Sequence, residues 1–209
     1  VETNLEGRTK QYTALADINL GSMCEFVFTN GVNRKSGHKV SVETGDPRDF
    51  QTYQAFETAV KKHLVYAIRA CVMGSHVIDE ICMNRPVPAL SLTHKECITK
   101  CLDYSQGGTK YNVGNGIILI GVADLINSLA AVKSLVYDHH LVSMDELFQA
   151  LSADFIGYEE IKELCERAPK YGNDNEEVDD IANEMFTFIA DEIENYQSKF
   201  GKMTHGILP

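Results

Sequence analysis

Three side chains in "SLTHKECITKCLDY" have the types and spacing for metal chemistry. His94, Cys97 and Cys101 lie three and four residues apart, so on a helix they would share one face. A structural zinc needs four such ligands, and no second cluster stands within evident reach in the sequence. The chain has six cysteines, at positions 24, 71, 82, 97, 101 and 165, and none forms a Cys-x-x-Cys pair. The reading is therefore reduced thiols packed on helix faces, in a protein of the cytosol, with no metal bound. A second concentration of candidate ligands is the acidic run "YGNDNEEVDDIANEMFTFIADEIENY". A calcium loop needs oxygen ligands at fixed alternating positions around a central Gly. "DNEEVDD" has no such Gly and runs on with helical periodicity, so it reads as a solvated helix face. The histidines give no catalytic pairing: His63 and His76 fall on a long helix, and His139-His140 sits in a charged surface stretch.

Bulk properties bound the function classes. The formal net charge is -11 over 209 residues, which disfavours binding to nucleic acid, because that needs a basic surface to displace counterions. No run approaches the ~20 apolar residues that a membrane helix requires; the longest, "GIILIGVADLI", is interrupted by Asp124. Nothing resembles a secretory leader.

The elements that would position these residues are mostly helical. Residues 15–30 carry an apolar stripe, Leu20, Met23, Cys24, Val27 and Phe28, closed by Asn30-Gly31. A punctuated loop follows, with a short hairpin around Lys35–His38. Helical periodicity then runs from about Thr52 to Met83, with Gly74-Ser75 as a bend point. After the break at "NRPVPAL", a shorter helix is capped by Ser91 or Thr93. A Gly-rich loop surrounds a short strand at Lys110–Val113, and a helix starts near Ile120. Ser143 and Glu146 spell a capping box. Another helix ends at Pro169, and the last runs from about Glu176 to Phe200 with Gly201 as its stop. Two or three strands among seven helices cannot form a sheet alone, so their partners lie in sequence outside this chain.

Several of these stretches together resemble the glycyl radical enzymes of the pyruvate formate-lyase-like superfamily. "GGTKYNVGNGIILIGVADLINSLAAVKSLVYD" is similar to the family's Gly-Gly, Tyr-Asn, Gly-rich bend and "ADSLAAIK" helix. "NGVNRKSGHKVSVETGDPRDFQTYQAFETAVKKHL" and "APKYGNDNEEVDDIANE" resemble two further blocks, in family order and at family spacing. Two departures bear on the substrate: Asn127 stands where the family has Asp, and "VGNGIILIG" departs from a Phe-Thr-Gly bend.

The resemblance implies an α/β fold, this chain being a mostly helical part of a ten-stranded α/β barrel. Residues 1–209 would be a single partial domain, from the C-terminal half of the catalytic domain. In the dehydratase and lyase branch the active-site motif reads Gly-Cys-Val-Glu. Val1-Glu2 would be its second half, with the radical cysteine just ahead of Val1 and the glycyl radical loop beyond Pro209. Glu2 is then the general base, a role that a composition-level reading would never give it. On an extended loop, residues i and i+2 face the same side, so a thiyl sulfur and a carboxylate address neighbouring atoms of one substrate. Desolvation would raise such a Glu from its ordinary pKa of about 4.3 and make it a better base. Thr13 is the candidate substrate contact, with Tyr12 and Asp17 beside it; Tyr111-Asn112 would fill the barrel interior.

The parent enzyme implied is an anaerobic, cytoplasmic lyase or dehydratase acting on a small hydroxylated molecule. It would need a backbone glycyl radical installed by a radical S-adenosylmethionine activase, and it would be a homodimer. The chain alone would bind no cofactor and be inactive. Two other readings stay open: a formate C-acetyltransferase, whose branch uses two adjacent cysteines, and a non-catalytic helical accessory module.

Overall fold

The computed structural model of the chain describes residues 14–112 and 114–208. Helices dominate, as expected. The strands are β1 (Ala14–Asn19), β2 (Gly116–Ile120), β3 (Gln197–Ser198), β4 (Gly201–Lys202) and β5 (Thr204–Leu208). The α-helices are α1 (Gly21–Phe28), α2 (Tyr53–Met83), α3 (Pro88–Ser91), α4 (Lys95–Lys100), α5 (Val122–Val132), α6 (Met144–Ser152), α7 (Glu159–Arg167) and α8 (Glu176–Glu194). The chain divides into two compact units. One comprises the described residues up to Ile18, with Ile68–Leu119 and Ala190–Ile207; the other comprises Asn19–Ala67 and Ile120–Ile189.

The first unit holds a three-stranded sheet in the order β1-β2-β5, so the strands expected to form no sheet of their own pair with one another within the chain. The Leu20 N–H donates to the Ile120 carbonyl at 2.8 Å, where β1 and β2 both end, and the Thr204 N–H donates to the Asn115 carbonyl at 3.1 Å, where β5 and β2 both begin. Neighbouring strands that share an end must run the same way, so the sheet is parallel. Consistent with that register, a Cβ on Gly206 would stand 3.2 Å from Ile118 Cδ1. Parallel neighbours need long crossovers, and about a hundred residues of mostly helix lie between β1 and β2. On β1 and its extension, buried Ile18 and Leu20 alternate with exposed Asp17 and Asn19; on β2, Ile117 and Leu119 are buried. The period of two is the strand signal that the apolar stripe at 15–30 obscures: residues 14–19 form a strand, and the helix of that stretch begins only at Gly21.

Four other expectations are corrected. The strand after the Gly-rich loop is Gly116–Ile120, not 110–113, because Asn112 turns inward on its own loop: its Nδ2 donates to the Gly107 and Thr109 carbonyls. The short helix starts at Lys95 with His94 at its cap and no side-chain capping bond; Ser91 belongs to α3 and instead donates to Asp103 Oδ2 at 2.7 Å. The last helix stops at Glu194, six residues short of the expected end. There the chain turns into a β3–β4 hairpin, antiparallel with Ser198 opposite Gly201, and the Met203 N–H donates to the Tyr196 carbonyl. The long helix runs unbroken through Gly74-Ser75.

A buried polar knot organises the first unit. Asp79, 2% exposed, accepts from Asn115 Nδ2 at 3.0 Å and from the Lys199 N–H at 3.1 Å. Asn115 Nδ2 also donates to Ser75 Oγ at 2.7 Å. One side chain of α2 thus ties the approach to β2 to the C-terminal hairpin. Gly114 lies so close to the hairpin that an added Cβ would stand 2.0 Å from the Lys202 carbonyl oxygen.

The second unit is helical. Helices α1 and α5 pack together, burying Met23, Cys24 and Val27 on one and Leu125, Ile126 and Leu129 on the other. After α5 the chain widens into a π-helical turn over Lys133–Asp138, whose exit bond runs from the His139 N–H to the Ser134 carbonyl, five residues back. The capping box on α6 forms as expected: Ser143 Oγ accepts from the Glu146 N–H while Glu146 Oε2 accepts from the Ser143 N–H at 2.8 Å. The expected hairpin near Lys35–His38 is closed by a bridge between Val32 and Lys39. Its loop is locked to α2 through His63, which has no exposed surface: Ser41 Oγ lies 2.7 Å from Nδ1 and Thr44 Oγ1 3.3 Å from Nε2.

Candidate functional site

In parallel α/β sheets, ligands gather at the carboxyl ends of strands, where each chain turns into its helix. Here those turns are Asn19–Gly21 and Ile120–Val122. Both are built on glycine for steric reasons. Gly121 has φ +77°, and a Cβ on it would meet Asp124 Oδ2 at 3.2 Å; a Cβ on Gly21 would meet Asp124 Cβ at 3.2 Å and Asn19 Oδ1 at 3.4 Å. Asn19 Oδ1 accepts from the Ser22 N–H at 3.3 Å, which fixes the entry to α1.

Between α1, α5 and α6 these turns open into a cavity of about 380 Å³. Its floor is apolar, with Phe28, Leu135 and Leu147, and its rim carries Glu25, Asp124 and Asn127. The two basic side chains at the rim are already engaged. Arg34 Nη2 donates to the Leu151 and Ser152 carbonyls at 2.9 and 3.2 Å, capping the end of α6, and Lys170 Nζ donates to the Cys165 carbonyl at 2.6 Å. Asn127, the position where the resemblance expects Asp, accepts the Tyr171 N–H at 2.8 Å and anchors the loop before α8. Cys24 and Cys165 also line the cavity. Burial pushes the Cys24 thiol up to about 12, and raises Cys165 as well. A thiol held protonated is a poor nucleophile and a poor metal ligand, so neither cysteine is activated in this pocket.

The sequence-level candidates fall as follows. Glu2, Tyr12 and Thr13 lie outside the described residues. Asp17 is exposed on β1, one residue before buried Ile18. Tyr111 is 53% exposed, while the Asn112 side chain is spent on its own loop. His94, Cys97 and Cys101 do not form a common ligand face: Cys97 is buried, whereas Cys101 leaves the helix in a left-handed conformation at φ +50° with its Sγ near the Ile98 carbonyl. Among the described residues no three His, Cys, Asp or Glu side chains converge as a metal set. His76 donates to the Gln197 carbonyl at 2.8 Å, and His139 and His140 are exposed. Sequence reasoning missed the Asp79–Asn115–Ser75 knot, whose members are 36 and 40 residues apart; an Asp and a Ser on the apolar side of a long helix were its only signal.

Comparison with known proteins supplies what the pocket does not. The chain is 37% identical over 195 residues to trans-4-hydroxy-L-proline dehydratase of Clostridioides difficile, which covers 92% of this chain and 24% of that protein. It is 34% identical over 188 residues to isethionate sulfite-lyase of Desulfovibrio desulfuricans, covering 88% of this chain and 22% of the other. The crystal structure of the C. difficile hydroxyproline dehydratase with trans-4-hydroxy-L-proline bound superposes with a TM-score of 0.91 at 36% identity, over 100% of this chain and 27% of that one. The chain therefore spans about a quarter of the length of the relatives it matches, and its fold is the mostly helical part of their α/β barrel. The model of the family described as pyruvate formate lyase-like matches residues 1–209; the chain belongs to that family, the glycyl radical enzymes, on the side of its dehydratases and lyases.

Proposed function

We propose that residues 1–209 act within a longer polypeptide, as a partial domain from the C-terminal half of its catalytic domain, and that this polypeptide is a glycyl radical lyase or dehydratase. The observation that carries the reading is the family match over all 209 residues, together with relatives named as dehydratases and lyases. A cysteine thiyl radical contributed from outside this chain removes a hydrogen atom from a substrate carbon that bears a hydroxyl. Glu2 takes the hydroxyl proton. The resulting ketyl radical expels the neighbouring leaving group, and the product radical takes a hydrogen atom back from the cysteine thiol. Water, or another small group, is the net loss. Thr13 contacts the substrate, a small hydroxylated molecule.

In this reading the cysteine is charged by a backbone glycyl radical, also outside residues 1–209, installed by a radical S-adenosylmethionine activase. The full-length enzyme is a cytoplasmic homodimer of an anaerobe. Residues 1–209 alone bind no cofactor and are inactive. Among the described residues no helix is long and apolar enough to cross a membrane.

The test begins with the codons ahead of Val1. Gly-Cys supports the lyase reading; two adjacent cysteines would make the protein a formate C-acetyltransferase; neither leaves a non-catalytic module. In the activated full-length enzyme, Glu2→Gln should lower kcat by roughly 10²–10⁴ while the glycyl radical signal in electron paramagnetic resonance stays intact. Unchanged kcat refutes the base role.

A further inference from the structure

The cavity between α1, α5 and α6 has a volume of about 380 Å³, within the range of small-molecule sites. Buried Leu135 and Leu147 form its apolar floor, and the rings of Phe28 and Phe155 also line it. Phe155 reaches that position through an unusual turn. Helix α6 ends at Ser152, and the Phe155 N–H donates to the Ala150 carbonyl at 2.8 Å. Asp154, at φ +51°, takes the left-handed conformation common just past a helix end. Phe155 follows in the same region at φ +59°, where a bulky side chain is an outlier. With this turn Phe155 lines the cavity, while its neighbour Ile156 stands 78% exposed. The charges around the cavity are unequal in their bonding. Arg34 and Lys170 already donate to carbonyls at the ends of α6 and α7. Among the described residues, the exposed carboxylates of Glu25 and Asp124 accept no hydrogen bond and form no ion pair, although both line the same cavity. Gly21 and Gly121 leave Asp124 its room, since a Cβ on either would stand 3.2 Å from it.

We infer that this cavity binds a small organic cation, a primary ammonium group carried on an arylalkyl body. The apolar body fills the space over Leu135 and Leu147. The ammonium stays at the rim, where Glu25 and Asp124 accept its hydrogen bonds in charge-assisted pairs and the aromatic rings of Phe28 and Phe155 add cation–π attraction. A carboxylate on the ligand would meet like charge at the same rim, and a neutral alcohol would forgo the ion pair. Every residue of the site belongs to the second unit. The inference uses neither Glu2 nor a radical, so it holds whether or not the chemistry proposed above does.

The test is isothermal titration calorimetry on the unactivated full-length protein with three probes of similar shape: 2-phenylethylamine, 2-phenylethanol and phenylacetate. At neutral pH the first is a cation, the second uncharged and the third an anion. The expected result is saturable binding of the amine in the millimolar range or tighter, about tenfold tighter than the alcohol, with no saturable binding of phenylacetate. Glu25→Gln and Asp124→Asn keep the side-chain size and remove the charge. Each should weaken amine binding about threefold and leave the alcohol unchanged. Should either variant fail to fold, the ranking of the three probes on the wild type still decides. Absence of saturable amine binding overturns the inference, and so does equal affinity for amine and alcohol. Amine binding that both variants leave unchanged also overturns it, because the cation is then held elsewhere. A protein that binds the amine as expected but gains no glycyl radical on activation would keep this inference and refute the proposed chemistry.

Discussion

Acidification should unlock the loop that His63 holds. The imidazole has no exposed surface, and it faces Ser41, Thr44 and the ring of Phe26 at 5.9 Å. A neutral imidazole can donate from one nitrogen and accept at the other, and the two hydroxyls can serve either role. Protonation would put a charge among groups that offer it no carboxylate. Burial accordingly lowers the His63 pKa from 6.5 to about 4. The native state then favours the neutral ring, and the unfolded chain binds a proton that the folded chain refuses between pH 6.5 and pH 4. This contribution to stability is whole above pH 6.5 and shrinks as pH falls through that window. At 1.36 kcal/mol per unit, linkage gives a loss of about 2 kcal/mol between pH 7 and pH 5, and about 3 kcal/mol once both states are protonated. Urea denaturation at pH 7 and pH 5 measures it, with His63→Gln as the comparison. The wild type should lose about 2 kcal/mol more than the variant between the two pH values. Equal pH dependence of the two proteins, or an imidazole that titrates near 6.5 by nuclear magnetic resonance in the native state, would refute the argument.

Asn115→Ala removes a hydrogen bond to a buried carboxylate and another to Ser75, and should cost about 3 kcal/mol in urea denaturation. A double-mutant cycle with Asp79→Ala should return a coupling above about 1 kcal/mol. Ser143→Ala breaks the capping box of α6 and should cost about 1 kcal/mol, with no effect on the first unit's amide exchange. Gly114→Ala forces a methyl group to within 2.0 Å of the Lys202 carbonyl oxygen and should lower the midpoint of thermal unfolding by several degrees or prevent folding. A variant as stable as the wild type would mean that the hairpin yields.

Much of the helical layer was legible because its signals are local. Apolar spacing defined α2 to within a residue at each end, and Ser143 with Glu146 announced the start of α6. The strands were misplaced because a short strand that is buried on one face and open on the other contains too few residues to show its period. In residues 14–20 only Ile18 and Leu20 against Asp17 and Asn19 carry it, and the apolar start of α1 overlaps them. The early end of α8 was equally hidden. "NYQSKFGK" has no Pro, and its hairpin is held by bonds to residues elsewhere in the chain, such as Lys199 N–H to Asp79.

For the candidate site, the sequence by itself determined the family, because three motif blocks in order and at fixed spacing are independent of any contact. Glu2 as the base is a proposal from the resemblance that those blocks carry, at a residue outside the described ones. Tertiary structure alone decided that the sheet is parallel, that Asn127 anchors a loop, that the His94, Cys97 and Cys101 set disperses, and that Asp79 and His63 are buried polar anchors. Those outcomes depend on which distant groups meet. Burial of a polar side chain is tolerable only where its partners are already in place, and a linear pattern records neither the partner nor the place.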